Sequence, residues 1–333
     1  MAATIKDVAR LAHTSKSTVS RYLNGTAVHP DVAAAIRKAV NDLNYHPNMN
    51  ARRLVMDRTQ VIGIVVDDIS NRFYSQIFKG IREMLNAEGY DYVFYTWTRA
   101  HERELDFLRL LYEEQVDGLI FMSFVYRHRE DVEAMRESPF PIVLIGHNAD
   151  VSISTVDVDN KAGVMETVQY LHRIGHRRIA FISGPEEAGA SRARTSGYLT
   201  ALEDLAIEGS PALMQMSDWT HEGGYHAMKH LLRLGGFTAV IASNDESAIG
   251  AMTCMQEQGY AIPRDFSVVG FDDIDISRWI FPALTTVRQP FENIGQTAAQ
   301  LLMRGIKATL ADPPPSMLLK PELIIRNSTG RPR

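Results

Sequence analysis

Two successive series of short apolar runs, separated by longer helical stretches, fill the chain from Val61 onward. The first series occupies residues 61–66, 92–95, 119–122 and 142–145, and the second occupies 179–182, 239–242, 268–271 and 284–287. Runs of this length bounded by turns are typical of central strands in a parallel sheet that helices cover on both faces. Two such series predict two similar doubly wound lobes, whose ligands bind beyond the carboxyl ends of the strands, in the cleft between the lobes.

The first 45 residues follow a different pattern, that of three short amphipathic helices. Thr4 and Asp7 form a capping box at the start of the first helix, and residues 13–15 make a tight polar turn before a second helix over about 16–23. A third helix starts near Pro30 and buries four apolar residues at helical spacing, namely Val32, Ile36, Val40 and Leu43. Two helices joined by a tight turn are what a helix-turn-helix reader of the DNA major groove needs, so this segment predicts DNA binding.

The distribution of charge along the chain is uneven. The 333 residues have a formal net charge of −5, but residues 1–60 contain nine Lys and Arg against four Asp. The remainder contains 26 basic against 36 acidic residues. A basic N-terminal segment ahead of an acidic remainder suits contact with DNA phosphates by the N-terminal segment alone.

The sequence lacks the motifs of common enzyme classes. No G-x-G-x-x-G follows the first apolar run, and neither a P-loop nor a G-x-S-x-G elbow occurs. His172 and His176 have a spacing that metal ligands use, but Gly175 is expected to end their helix before His176. We therefore expect no catalytic residues, no cofactor and no bound metal.

Cysteine usage and hydropathy indicate the compartment. The single cysteine, Cys254, excludes an internal disulfide framework and is expected to be a small buried residue. No charged-then-apolar leader starts the chain, and no apolar run approaches the ~18 residues of a membrane span. We expect a cytoplasmic protein with no membrane partner.

Several motifs resemble those of the LacI/GalR family of bacterial transcriptional regulators. Near the N-terminus they are TIKDVA at 4–9, STVSR at 17–21 and NYHPN at 44–48, followed by Ala51, Arg52 and Leu54. Further along they are ISN at 69–71, VDGLI at 116–120, GHRRIA at 175–180, ND at 244–245, VGFDD at 269–273 and LTTV at 284–287. The resemblance covers essentially the whole chain, and the run 44–55 with Gly146 is also somewhat similar to the maltose-repressor branch.

The resemblance implies an α/β fold in three parts. They are an N-terminal three-helix helix-turn-helix DNA-binding domain at 1–48, a hinge helix and linker at 49–60, and an effector-binding and dimerisation core at 61–333. The core would consist of two doubly wound parallel-sheet lobes of the periplasmic-binding-protein type. Their expected bounds are about 61–159 and 291–318 for the N-lobe, and about 160–288 and 319–328 for the C-lobe.

The resemblance also implies that the second helix is the recognition helix. It places Lys16, Ser17 and Arg21 against base edges, where an Arg fork on guanine contributes roughly 1–3 kcal/mol of discrimination. Phosphate contacts, which position the protein without specifying sequence, are expected from Thr4, Ser15, Thr18, Asn24 and Asn48. A merely solvated helix face is the alternative for Ser17 and Arg21.

Residues 50–56 resemble a hinge helix that forms on the operator. The resemblance implies DNA contacts by Asn50, Ala51 and Arg52, with Leu54 levered between base pairs in the minor groove. Unstacking a base step costs a few kcal/mol, which the bent DNA recovers by touching more protein surface. An ordinary linker leucine is the alternative.

An effector site is implied in the core. The implied residues are Asn71, Phe73, Tyr74, His147, Arg194, Trp219, Asn244, Asp272 and Gln289. Carboxylate, amide and guanidinium groups bond sugar hydroxyls, and aromatic faces cover the apolar side of a pyranose. A structural ion pair of Arg194 with Asp272, and plain core positions for Phe73 or Trp219, are the alternatives.

Together these features predict a homodimeric transcriptional repressor that binds double-stranded operator DNA. We expect a small sugar or sugar phosphate, with an α-glucoside as the first candidate, to bind between the lobes and to control carbohydrate-uptake or catabolism genes allosterically. Control mainly by a protein co-regulator is one alternative. A periplasmic sugar receptor and a sugar-active enzyme are the others, although no paired carboxylates can be placed for the enzyme.

Overall fold

The chain divides into two units, Met1–Thr59, hereafter the head, and Gln60–Arg333, hereafter the body. The computed structural model describes residues 3–23, 26–45, 58–67, 69, 73–96, 104–122, 129–146, 153–207, 209–307 and 314–333. Most of the predicted hinge segment lies outside these ranges. The domain boundaries that we drew from the sequence therefore stay predictions.

Three helices form the described part of the head: α1 (Ile5–Leu11), α2 (Lys16–Leu23) and α3 (Pro30–Asp42). Each contributes one fully buried residue to a single small core, and these are Val8, Val19 and Ile36. In the turn between α1 and α2, His13 has a φ of 50°, a left-handed conformation that is uncommon outside glycine. The three predicted helices are confirmed.

The body alternates strands with helices. Its strands are β1 (Val61–Val66), β2 (Asp91–Thr96), β3 (Gly118–Met122), β4 (Ile142–Ile145), β5 (Ser154–Val158), β6 (Ile179–Ser183), β7 (Met214–Met216), β8 (Ala239–Ala242), β9 (Ser267–Asp272), β10 (Thr285–Arg288), β11 (Ser316–Leu319) and β12 (Glu322–Ile324). Its helices are α4 (Phe73–Ala87), α5 (Arg109–Tyr112), α6 (Arg129–Glu137), α7 (Asn160–Arg173), α8 (Gly189–Asp204), α9 (His221–Leu234), α10 (Asp245–Glu257) and α11 (Phe291–Lys307).

In the described part of the chain these strands form two six-stranded sheets with one common order. The N-lobe sheet runs β2-β1-β3-β4-β5-β11, and all of its neighbours are parallel. The C-lobe sheet runs β7-β6-β8-β9-β10-β12, and it is parallel except for β12, which is antiparallel to β10. Apolar cores lie on both faces of each sheet, which confirms the two doubly wound lobes.

Helices α4 and α11 cross in close contact on one face of the N-lobe sheet. A β-carbon at Gly80 would overlap the backbone oxygen of Glu292, and a β-carbon at Gly295 would overlap the backbone oxygen of Ile77. Both positions therefore require glycine for the two backbones to approach this closely. The crossing belongs to the apolar core that also holds Phe291.

At three described points the chain passes between the lobes. The first crossover joins β5 to α7, the second joins β10 to α11, and the third joins β11 to β12. The Asp159 N–H donates to the Leu319 carbonyl oxygen at 2.9 Å, so the first and third crossovers lie side by side.

Sequence patterns missed strands β5, β7 and β11. Strand β5 has the sequence STVDV, in which three of the five side chains are polar, so no continuous apolar run marks it. Strands β7 and β11 lie at the outer ends of their sheets and keep mostly exposed or half-buried side chains. Short edge strands of this kind need no apolar run, because only one neighbour covers them.

Candidate functional site

The predicted recognition helix, α2, presents its polar side chains to solvent. Lys16, Ser17 and Arg21 are all exposed. Among the described residues, the Arg21 guanidinium makes one long contact of 3.5 Å, to the carbonyl oxygen of Ala27. A guanidinium held this weakly can turn toward a guanine edge without giving up a strong internal bond.

The helices α1 and α2 are capped by their own side chains. The Asp7 carboxylate accepts from the Thr4 N–H at 3.0 Å and from the Thr4 hydroxyl at 2.6 Å, and this confirms the predicted capping box. Ser15 Oγ accepts from the Thr18 N–H at 3.1 Å and lies 2.8 Å from the Thr18 hydroxyl. Contact of these hydroxyls with DNA phosphates stays a prediction, and it would compete with these internal bonds.

Several predicted site residues lie outside the described ranges. In the DNA-binding set these are Asn24, Asn48, Asn50, Ala51, Arg52 and Leu54. In the effector set they are Asn71 and His147, and Phe73 is described only as the first residue of α4, without its side chain. Their roles stay predictions.

Polar side chains of the C-lobe gather where its parallel strands end. Ser183 closes β6, Asn244 follows β8, Asp272 closes β9 and Gln289 follows β10. Helix α8 adds Arg194 to this group. The carboxyl ends of neighbouring parallel strands meet at one edge of a sheet, and that edge is where doubly wound folds bind their ligands.

Arg194 is the cation of this edge and is only 5% exposed. Its Nε donates to Asn160 Oδ1 at 2.8 Å, its Nη1 donates to the Ser243 carbonyl oxygen, and the guanidinium lies 3.8 Å from the centre of the Phe271 ring. The distance from Nη1 to Asp272 Oδ1 is 3.7 Å, which is an ion pair without a hydrogen bond. Nη2 donates to none of the residues that the structure describes, which leaves two N–H groups for a ligand.

Asp272 and Gln289 supply acceptor atoms beside that cation. Gln289 Nε2 donates to Asp272 Oδ1 at 2.7 Å, whereas Asp272 Oδ2 and Gln289 Oε1 accept no hydrogen bond within the described ranges. Burial raises the pKa of Asp272 to about 6, and the Arg194 charge opposes that rise. Guanidinium donors next to free carboxylate and amide oxygens can bond two hydroxyl groups of one ligand at once.

The backbone that presents Asp272 lies in the left-handed region. Its φ is 124° and that of Asp273 is 58°, both uncommon for residues with a β-carbon. Two arginines hold the Asp273 carboxylate, Arg288 through Nε at 2.7 Å and Arg326 through Nη2 at 2.5 Å. Sequence reasoning assigned no role to Asp273, which fixes this turn and thereby the position of Asp272.

Trp219 supplies an aromatic ring at the same edge. Its Nε1 donates to Ser243 Oγ at 3.1 Å, and its carbonyl oxygen accepts from Asn244 Nδ2 at 2.8 Å. The ring lies against Gly184, where a β-carbon would overlap it. Asn244 Oδ1 also accepts from the Ser247 N–H at 3.0 Å, so Asn244 both caps α10 and positions Trp219.

Tyr74 lies in the N-lobe core. Its side chain is 1% exposed, and its hydroxyl donates to Asp67 Oδ1 at 2.5 Å, directly after β1. An effector contact by Tyr74 stays a prediction, and in the structure the ring belongs to the apolar core while the hydroxyl is bonded to Asp67. The structure brings together five of the residues predicted to bind an effector, namely Arg194, Trp219, Asn244, Asp272 and Gln289.

Asp245 is a fully buried carboxylate that sequence reasoning noted only as part of a motif. It accepts from the Ile274 N–H at 2.9 Å, from Ser277 Oγ at 2.6 Å and from Thr286 Oγ1 at 2.5 Å. Burial, reinforced by the nearby Asp272 carboxylate, raises the pKa of Asp245 to about 8. Through these hydrogen bonds Asp245 ties α10, β10 and the loop after β9 together next to the Arg194–Asp272 pair.

The spacing of His172 and His176 and the apolar stretches of the chain bear on metal binding and on membrane insertion. No group of three or more His, Cys, Asp or Glu suited to a metal ion occurs within the described ranges. His176 lies beyond the end of α7 and is buried, with its ring nitrogens bonded to Thr238 Oγ1 at 2.7 Å and to Ser267 Oγ at 3.0 Å. No described helix is long and apolar enough to cross a membrane.

Comparisons with known proteins place both units. The family model "Bacterial regulatory proteins, lacI family" matches residues 4–48, and the model "Periplasmic binding protein-like domain" matches residues 168–329. The HTH-type transcriptional regulator RegA of Clostridium saccharobutylicum is 34% identical over 99% of this chain and 100% of RegA. The HTH-type transcriptional repressor CytR of Escherichia coli K12 is 34% identical over 98% of this chain and 96% of CytR.

Two solved structures match nearly the whole chain. The lac repressor dimer bound to operator and the anti-inducer ONPF is 26% identical with a TM-score of 0.89, covering 99% of this chain and 100% of that one. The complex of the transcriptional regulator CelR with cellobiose is 31% identical with a TM-score of 0.74, covering 98% and 99%.

Proposed function

The chain belongs to the LacI family of bacterial regulatory proteins, and from this premise we propose that it is a repressor controlled by a small sugar or sugar phosphate. The effector binds at the C-lobe edge around Arg194 and Asp272 and regulates carbohydrate-uptake or catabolism genes. Effector binding changes operator affinity to the extent that the effector prefers one of two body conformations.

One observation carries the effector proposal, namely the set of free atoms around the Arg194–Asp272 pair. Arg194 Nη2, Asp272 Oδ2 and Gln289 Oε1 have no partner in the described ranges, and they belong to side chains that are otherwise buried and bonded. Trp219 adds an aromatic ring at the same edge. Polar atoms that converge beside an aromatic ring suit a pyranose, and the similar CelR structure holds cellobiose.

The head binds double-stranded operator DNA through α2 in this proposal. The exposed Lys16, Ser17 and Arg21 read base edges, and the net positive charge of the N-terminal residues attracts the phosphates. Leu54 acts as the minor-groove wedge of a hinge helix. The similar lac repressor structure is bound to its operator, which supports the same kind of partner here.

A second copy of the chain completes the operator complex. The segment around the one-turn helix Asp275–Arg278 exposes Trp279 by 76% and Phe281 by 92%, with Ile276 exposed by 39%. Exposed aromatic clusters of this kind mark protein interfaces. We assign this cluster, together with helix α4, to a homodimer interface, because the similar lac repressor structure is a dimer on DNA.

A ligand screen tests the effector proposal. Melting of the full chain is measured with glucose, maltose, cellobiose, lactose and their phosphates, and operator affinity is measured on a site selected by the protein from random DNA. We expect one of these compounds to raise the melting temperature and to change operator affinity by roughly 5- to 150-fold.

The variant Asp272→Asn sharpens that test, with Asp204→Asn as the matched control because Asp204 lies exposed at the end of α8. Asp272→Asn should lose the response to the compound and keep basal operator binding, whereas Asp204→Asn should keep both. An intact response in Asp272→Asn would show that Asp272 is not part of the effector site. If none of the compounds has an effect and a protein partner alters operator affinity instead, the controlling signal is a protein co-regulator and not a sugar.

A further inference from the structure

The Arg194–Asp272 pair is bonded to two of the three described crossovers. Asn160, the first residue of α7 after the first crossover, accepts from Arg194 Nε at 2.8 Å. Gln289, which enters the second crossover after β10, donates to Asp272 Oδ1 at 2.7 Å. Arg194 and Asp272, which face the proposed ligand, are thus hydrogen-bonded directly to residues of the segments that connect the two lobes.

Asn160 is the tighter of these two links. It is 3% exposed, and while its Oδ1 accepts from Arg194, its Nδ2 donates to the Val158 carbonyl oxygen at 3.0 Å and reaches Asp157 Oδ1 at 3.4 Å. Val158 and Asp157 are the last residues of β5 in the N-lobe sheet. One buried amide therefore joins an effector-site cation of the C-lobe to a strand end of the N-lobe.

The first crossover has little freedom to absorb a movement of Asn160. Asp159, directly before it, caps α7 by accepting from the Ala162 N–H at 2.9 Å. The Asp159 N–H is bonded to Leu319 on the third crossover at 2.9 Å. A shift of Arg194 that drags Asn160 must consequently move a capped helix start and two crossovers together.

From this arrangement we propose that Asn160 is a positioning residue that couples the Arg194–Asp272 site to the first crossover. This inference rests on the proposed function for the identity of the signal, since an effector that bonds Arg194 Nη2 and Asp272 Oδ2 is what displaces the guanidinium. Asn160 itself need not touch the effector. Its role is to convert the position of Arg194 into the relative position of the two lobes, which is the kind of two-state element that allosteric coupling requires.

A double-mutant cycle tests the coupling without any ligand. Arg194→Lys keeps the charge but removes the Nε donor, and Asn160→Asp keeps an acceptor for Arg194 but removes the donors to Val158 and Asp157. Amide hydrogen exchange of segment 157–162 is measured in the full chain. Arg194→Lys should accelerate exchange there by 10-fold or more in the wild-type background and by less than 2-fold beside Asn160→Asp. Additive effects of the two substitutions would overturn the proposal.

Thr167→Ala is the matched control for a merely structural role. Thr167 is fully buried on the same helix, α7, and its hydroxyl donates to the Gly163 carbonyl oxygen at 2.9 Å, a hydrogen bond within α7 that does not involve Arg194. Its effect on exchange should add to that of Arg194→Lys. If Asn160→Asp does not fold, Asn160→Ser replaces it with the same expectation, because the shorter serine side chain cannot reach Arg194.

A second readout separates this proposal from the sugar assignment. Maltose and cellobiose at 10 mM are added to wild type and to Asn160→Asp, and melting and operator affinity are both recorded. A sugar that still raises the melting temperature of Asn160→Asp but no longer changes its operator affinity supports the coupling role. An unchanged operator response in that variant refutes it. If neither sugar affects the wild type, that arm counts against the sugar, and the exchange cycle decides on Asn160.

Discussion

The polar groups predicted to bind DNA in the head are exposed, whereas those predicted to bind an effector in the body are buried. On α2 of the head, Lys16, Ser17 and Arg21 lie exposed, and Arg21 has a single long contact among the described residues. In the body, Arg194 and Asp272 are each less than a tenth exposed and are bonded to their neighbours. Ser17 Oγ lies 2.7 Å from Ser15 Oγ, but an exposed group can exchange such a bond for one to a partner or to water, whereas a buried network responds only to a ligand that replaces the bonds it disturbs.

The contrast matches two different kinds of recognition. A DNA site is a fixed partner, and exposed side chains with few internal bonds suit its recognition. An effector is a variable partner, and a bonded network that keeps some free donor and acceptor atoms can take up a different arrangement when it binds. Substitutions in each region test this contrast.

The largest effect is expected from assembly of the body. Replacing Trp279 and Phe281 together with serine removes most of the exposed aromatic surface near Asp275–Arg278. The protein should sediment as a monomer, and its operator affinity should fall by more than 100-fold, because a single head then binds without its linked partner. Met216→Ser, which removes another exposed apolar side chain (64% exposed), should leave both properties unchanged. A double variant that remains dimeric would show that the interface lies elsewhere.

An intermediate effect is expected from Arg21→Ala in the head. Loss of a base-reading guanidinium should weaken binding to the selected operator by about 10- to 100-fold, which corresponds to roughly 1–3 kcal/mol. Binding to random-sequence DNA should change by less than 3-fold, and the melting temperature should not change because Arg21 is exposed. Arg37→Ala, an exposed arginine on α3, is the control of equal charge. Equal losses of affinity for both DNAs would indicate that Arg21 contacts a phosphate and not a base.

The smallest effect concerns the pH dependence of the body. The pKa of Asp272 is raised to about 6 in the folded chain, so the folded state binds its proton more tightly than the unfolded state does. The stability that this provides is fully present below about pH 4 and is lost as the pH rises through 6. The melting temperature of wild type minus that of Asp272→Asn should therefore fall by a few degrees between pH 4.5 and 7.5. A difference that rises over this range would contradict the raised pKa.

The fold could be predicted where apolar runs are continuous. Strands β1, β3 and β8 are buried along their whole length and stand out in the sequence, as does the stripe of α4 that ends before Gly89. Strand β5 could not be found in this way, because three of its five side chains are polar, with Thr155 bonded to Ser316 of β11 at 2.8 Å and Asp157 in contact with Asn160. Its last residues, Asp157 and Val158, contact Asn160 across the lobes.

The candidate site was predictable in its charged and aromatic members but not in the groups that hold them. Family resemblance pointed to Arg194 and Asp272, which the structure places as an ion pair. Resemblance did not point to Asn160 or Ser243, whose contacts to Arg194 run through one amide oxygen and one carbonyl oxygen. Such partners depend on where α7 and β8 meet in space, and no local spacing in the sequence encodes that meeting.

The glycine contact between α4 and α11 has a mechanical consequence. Helix α11 begins at Phe291, two residues beyond Gln289, and the Phe291 N–H is bonded back to the Gln289 carbonyl oxygen at 2.9 Å. At Gly80 and Gly295 backbone meets backbone with no side chain between them to deform. The contact between α4 and α11 is therefore stiff, because no side chain lies between the two backbones to yield. We expect a sub-ångström displacement of Gln289 to be transmitted to the surface helix α4 with little attenuation. A single added methyl group at either glycine would push the two helices apart and disrupt this coupling.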